Sequence, residues 1–260
     1  MSDLVIVQKL KHYATCTLND PHKRNPLSVE MRTQLTVALD ALALDDGVRS
    51  VIITGAGSAF CSGLDLEALA AQRTKPAAEH LADSRSIAAF FSYLAHYPKP
   101  TIAAVNGPAV AGGCGVALLC DFTLMCNDAF LSFSEVKIGF VPALVGVYLE
   151  RLIGPKLARD LLLTGRKLSA QEAQALRIAT IAPAEELQNA AVQLATTLAK
   201  NSPQALRQTK ELLARATALD LSDALALATD INARARMTSD CREGVDAFLQ
   251  KRAPFWADGI

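Results

Sequence analysis

Hydrophobic patterning divides the chain into two regimes. Val5-Ile6-Val7 and Ala14-Thr15-Cys16-Thr17-Leu18 are short apolar runs that predict an opening pair of strands. Ser28 predicts the N-cap of a helix reaching about Leu44, closed by the turn Asp45-Asp46-Gly47. A strand at Val51-Ile52-Ile53-Thr54 follows, then a glycine-bearing loop and an Ala-rich stretch through residue 82. After it comes a helix with Ile87, Phe90, Phe91 and Leu94 at helical spacing. Pro98 and Pro100 end that helix and launch Thr101-Ile102-Ala103-Ala104-Val105. Two more β signals lie at Asp121-Phe122-Thr123-Leu124-Met125 and Ala129-Phe130-Leu131-Ser132. From about Val145 helices dominate, including 183–200, 203–216, 221–237 and 240–251. Alternating strand and helix followed by helices alone predicts an α/β half and an all-α half.

Composition narrows the function classes. With 260 residues the chain is long enough for one substantial core and a smaller appended region. Its 26 basic and 26 acidic residues give no broad electrostatic footprint for nucleic acid or an anionic membrane. Cys16, Cys61, Cys114, Cys120, Cys126 and Cys241 form no C-x-x-C pair. They do not cluster with His12, His22, His80 or His96 either, so neither a metal site nor a disulfide framework is expected. A reducing compartment fits this usage. Met1-Ser2-Asp3-Leu4 lacks the basic and apolar regions of a secretory signal, and no apolar run approaches the ~20 residues of a membrane span. The expected location is cytoplasmic.

Candidate chemistry lies in loops that follow strands. Phe60-Cys61-Ser62-Gly63-Leu64-Asp65-Leu66 and Asn106-Gly107-Pro108-Ala109-Val110-Ala111-Gly112-Gly113-Cys114-Gly115 are glycine-bearing loops able to aim backbone N–H groups at a ligand. Gly112-Gly113 opens a helix, where unpaired N–H groups and the positive dipole end face outward. Glu135 lies on the loop after the Phe130 strand, where spacing alone leaves an acid/base group and a solvated glutamate paired with Lys137 equally open. Gly55-Ala56-Gly57 imitates the start of a dinucleotide fingerprint, but Phe60 occupies the third glycine position. Cys114 reads as a packing cysteine, and Gly-x-Ser-x-Gly is absent.

Four signatures in order carry a resemblance. They are Asn25-Pro26-Leu27, the Phe60 to Leu66 loop, the run from Lys99-Pro100-Thr101 to Asn106-Gly107, and Ser134-Glu135-Val136-Lys137-Ile138-Gly139 with Pro142. Over essentially its whole length the chain resembles the crotonase superfamily of enoyl-CoA hydratases and isomerases. The resemblance implies an α/β fold, a crotonase-like (ClpP/crotonase) β-β-α spiral core over 1–195. A helical region over 196–260 would follow and mediate a homo-oligomer, trimer or hexamer. It implies an acyl-CoA thioester substrate and no separate cofactor, coenzyme A being part of that substrate. The backbone N–H groups of Ser62 and Gly112 would form an oxyanion hole, with Glu135 as acid/base. Arg24, the Leu64-Asp65-Leu66 turn and Lys251 would hold the nucleotide portion, and Val110, Gly115 and Ser134 would border the substrate. The 67–84 region corresponds to the variable lining of the acyl pocket.

Position 115 departs from this pattern, because hydratases of the family usually carry their first glutamate there. Syn hydration is assigned to two carboxylates, whereas moving a double bond needs one base. Gly115 therefore tilts the expectation toward isomerase-type chemistry or a one-glutamate hydratase. Decarboxylation of an acyl-CoA, and a non-catalytic CoA-binding protein, are the alternatives.

Overall fold

The computed structural model describes residues 3–257. Strands β1 (Val5–Lys9), β2 (Tyr13–Leu18), β3 (Ser50–Gly55), β4 (Thr101–Val105), β6 (Phe122–Cys126) and β9 (Thr180–Ala182) form a sheet in the order β1-β2-β3-β4-β6-β9. Only the β1–β2 pair is antiparallel. Its centre reads as a continuous apolar run because both faces are covered: Val51, Ile52 and Ile53 are buried, as is every residue of β4.

A smaller sheet stacks the second halves of successive turns. It consists of β5 (Ala109–Val110), β7 (Phe130–Ser132) and β8 (Lys167–Ser169), and single bridges join Pro26 to Gly63 and Cys61 to Ala109. Each turn thus gives one strand to the large sheet and one short segment to the small one. The helices of this region are α1 (Val29–Leu44), α2 (Leu66–Ala71), α3 (Ala77–Ala95), α4 (Gly112–Leu119), α5 (Ala143–Ile153), α6 (Pro155–Thr164), α7 (Ala170–Ala175) and α8 (Leu187–Ala199). Ser28 caps α1 as expected, its Oγ accepting from the Met31 amide at 3.1 Å. Lys99 closes the other end by donating to the Leu42 and Asp45 carbonyls at 2.6 and 2.7 Å, a cation where the helix dipole is negative.

The tail comprises α9 (Pro203–Ala216), α10 (Leu221–Arg236) and α11 (Ser239–Leu249). Lys210 of α9 pairs with Asp121, whose carboxylate also accepts from the Thr101 amide and hydroxyl. Buried Asp240 ties α11 to the start of α9 by accepting from the Ser202 hydroxyl and the Gln204 amide.

Several elements differ from the patterning. Residues 183–186 form a turn closed by the Glu186 amide on the Pro183 carbonyl, so α8 begins four residues later than expected. Helix α11 stops at Leu249 because Lys251 adopts a left-handed conformation, φ 54°. Helix α8 packs on the large sheet and runs unbroken through 195–196; the chain leaves the sheet after it. Among the described residues no helix is long and apolar enough to cross a membrane.

Candidate active site

The Asn25-Pro26-Leu27 motif works by holding the loop after β3. Fully buried Asn25 sits at φ 55°, a conformation asparagine tolerates better than most residues. Its amide nitrogen donates to the carbonyls of Ala56, Ala59 and Phe60, and its Oδ1 accepts from the Asp20 amide. Asn106 grips the same loop from β4, accepting from the Gly55 amide and donating to the Gly57 carbonyl.

Gly63 then turns at φ 80°, where a Cβ would lie 2.6 Å from the Val110 carbonyl oxygen and 3.1 Å from the Gly112 nitrogen. Only glycine allows the two loops to touch here. On the second loop Ala111 holds φ 49°, ψ −118°, a region normally left to glycine, and its amide is anchored on the Ser132 carbonyl at 2.8 Å. That strained residue sets the direction of the next peptide, the Gly112 N–H, at the first position of α4.

Ser62 does not take the expected role. Its amide donates to the Arg24 carbonyl at 2.9 Å and its hydroxyl to the Lys23 carbonyl at 3.3 Å, so this N–H is already spent. The left-handed turn at Arg24, φ 63°, is what aims that carbonyl at Ser62. Two residues on, the Leu64 amide has no acceptor among the described residues, and neither has Gly112. Leu64 and Gly112 line one cavity; Ser62 does not.

That cavity, about 140 Å³, is bounded by Leu27, Leu64, Ser84, Ile87, Phe91, Ala111, Gly112, Glu135 and residues 140–145. Larger clefts exist elsewhere, but this one joins a buried carboxylate with an unpaired oxygen to two unpaired amides. Glu135 opens a short 3-10 helix, Glu135–Ile138, is 8% exposed, and its Oε2 has no hydrogen-bond partner. Burial pushes its pKa above the ordinary carboxylate value. Among the described residues Lys137 forms no ion pair with it, so the solvated-pair alternative is not what the chain adopts. Cys114 is wholly buried, donates to the Ala109 carbonyl, and has its pKa raised by desolvation, which suits packing rather than attack.

Gly115 is not an empty place. A Cβ there would stand 2.7 and 2.9 Å from Cζ and Cε1 of Phe91 and 3.1 Å from Cγ2 of Val145. Apolar side chains fill the room a carboxylate would need, and among the described residues Glu135 is the one ionisable residue lining the cavity.

The model of the Enoyl-CoA hydratase/isomerase family matches residues 11–259. The chain belongs to this family. A Thermus thermophilus protein provisionally named enoyl-CoA hydratase is 50% identical over 94% of this chain and 96% of its own. An Escherichia coli K12 protein named 2,3-dehydroadipyl-CoA hydratase is 36% identical over 98% of each. The crystal structure of an enoyl-CoA hydratase from Mycobacterium smegmatis superposes with a TM-score of 0.91 at 31% identity, covering 98% of this chain and 99% of that one. The protein is thus an acyl-CoA enzyme of hydratase/isomerase type, with the crotonase fold that the four signatures implied.

Within this family member the other expected contacts are dispersed. Arg24 is exposed beside the Ser62 loop, with no ion pair among the described residues. Asp65 caps α2 by accepting from the Glu67 and Ala68 amides and pairs with Lys23 at 3.4 Å, while Leu66 is exposed. Val110 and Ser134 flank the cavity-lining residues without joining them, and Lys251 lies on the tail, outside the lining. Phe91 and Val145 were missed as site residues. The helical spacing that marks Phe91 as apolar also marks Ile87, Phe90 and Leu94, so spacing alone does not single it out.

Proposed function

We propose that the protein is an isomerase-type enoyl-CoA enzyme in which Glu135 alone moves the proton. The observation carrying this reading is the cavity itself, with one ionisable group and a closed wall at Gly115. With a 3-enoyl-CoA, the Glu135 carboxylate takes a proton from C2 and the electron pair passes to the thioester oxygen, giving a dienolate. The Leu64 and Gly112 amides stabilise that oxyanion, each such donor being worth about 2.7–4 kcal/mol in the transition state. Protonated Glu135 returns the proton to C4, the carbonyl re-forms and the double bond ends conjugated to it; no water is consumed. A pKa raised by burial brings the base nearer to working pH, where general catalysis is efficient.

A one-glutamate hydratase is the second reading, favoured by the names of the relatives. One assay separates the two, with purified enzyme given a 3-enoyl-CoA and, separately, a trans-2-enoyl-CoA. Gain of conjugation without mass change supports the isomerase; loss of conjugation with addition of water overturns it for the hydratase. Arg24 and the backbone at Leu64–Leu66 hold the nucleotide portion in this proposal. The exposed apolar residues of the tail, including Leu213, Leu225, Phe248 and Leu249, form the contact of a trimer or hexamer. Light scattering giving a monomer mass would overturn that assembly. Free thiols at all six cysteines suit a reducing cytoplasm.

A further inference from the structure

We propose that the acyl pocket takes a short, uncharged acyl group of about four to six carbons and that Phe91 is the residue that sets this length. The inference rests on the acyl-CoA reading above and adds the substrate class to it. A cavity of about 140 Å³ is close to the engineered 150 Å³ cavity that holds one benzene, or roughly six carbon atoms. Phe91 closes it from α3. The residue is 1% exposed, its ring is backed by Phe90 at 5.9 Å between centroids, and its Cζ lies 2.7 Å from where a Cβ at Gly115 would stand. The same Cζ is 3.8 Å from the corresponding point at Gly112. One ring therefore spans the space from the oxyanion amide to position 115, and a chain running past the thioester carbon meets it.

The chemistry of the wall adds a second selection. Among the described residues lining the cavity there is no Lys, Arg or His, and the single charged group is Glu135. A carboxylate at the far end of the acyl chain would be buried with no partner and beside a like charge, which is strongly unfavourable.

Saturated acyl-CoAs test this without turnover. Calorimetric titration with butyryl-, hexanoyl-, octanoyl- and decanoyl-CoA should show affinity rising roughly fourfold per methylene as far as hexanoyl and no further gain beyond. Adipyl-CoA, equal in carbon count to hexanoyl-CoA, should bind about a hundredfold more weakly or worse. Phe91→Leu should move the break outward by about one methylene and Phe91→Ala by several. Steadily rising affinity through decanoyl-CoA, a break unmoved by Phe91→Leu, or adipyl equal to hexanoyl would overturn the proposal. If Phe91→Ala fails to fold, the milder Phe91→Leu decides the role of position 91, and the wild-type series and the adipyl comparison decide the substrate class. Because these ligands cannot isomerise, failure of the isomerase reading leaves the result standing; failure of every acyl-CoA to bind would overturn both.

Discussion

Gly115→Glu restores the residue that two-carboxylate chemistry uses, and its cost follows from the contacts at that site. Unstrained carbon–carbon contacts lie near 3.5–4.0 Å. The new Cβ would therefore intrude by about 1 Å on the Phe91 ring edge and by less on Val145. Overpacking of this kind costs about 1–3 kcal/mol before the rest of the side chain is placed. The carboxyl must then sit among apolar groups near Glu135, either charged at high cost or protonated. Together these exceed about 3 kcal/mol, a large part of the 5–15 kcal/mol typical of a folded protein. Phe91→Ala alone should cost about 3–5 kcal/mol through its cavity. In the double variant the glutamate side chain enters the vacated space, and the overpacking is relieved. The four proteins of this cycle, compared by urea denaturation, should show a coupling of about 1–3 kcal/mol in favour of the double variant. Only that variant should gain hydration of a trans-2-enoyl-CoA, read as loss of conjugation. Stabilities that add within about 0.5 kcal/mol would refute the claim that Phe91 closes position 115.

Glu135→Gln should lower turnover about 10²–10⁴-fold, measured on whichever enoyl-CoA the wild type converts. Because burial raises the folded-state pKa of Glu135, its ionisation opposes folding. The penalty is absent below the ordinary value of 4.5 and grows as pH rises toward the folded value. Denaturation of Glu135→Gln against wild type should accordingly show the variant gaining relative stability as pH rises through that window, while wild-type kcat/KM falls on the acid side. Asn25→Ala removes three donated bonds and leaves a non-asparagine residue at φ 55°; about 3–5 kcal/mol should be lost in urea denaturation. Replacing the Leu64 amide by an ester should cut kcat about 10²–10³-fold. The same exchange at Ser62 should reduce stability and leave kcat within severalfold, and the reverse result would return the oxyanion role to Ser62.

Much of the fold was legible because its signals are local. The Ser28 cap, the β3 and β4 runs, and the apolar face of α3 all depend on residues within a few positions of each other, and each was placed correctly. Strands β8 and β9 were not found, since Lys167-Leu168-Ser169 and Thr180-Ile181-Ala182 each carry a single large apolar residue and both are strands only by pairing with β7 and β6. The glycine loops were readable as loops, yet which amide faces the cavity was not. That choice is made by the Arg24 carbonyl, 38 positions earlier, which takes the Ser62 N–H and leaves that of Leu64 unpaired.

The same non-local logic governs the chemistry at position 115. From sequence, glycine there is a departure from the family pattern that leaves isomerase-type chemistry and a one-glutamate hydratase both open. The packing says something different: the absence of a side chain at 115 is what allows Phe91 to stand against α4, with Val145 of α5 beside it. In the proposed reading, the absence of a carboxylate at 115 and the short acyl pocket share one structural cause, the Phe91 ring. A glutamate at 115 alone cannot supply the second carboxylate, because the ring at 91 stands against the place its Cβ would take, and Phe91→Ala alone opens the pocket without supplying one.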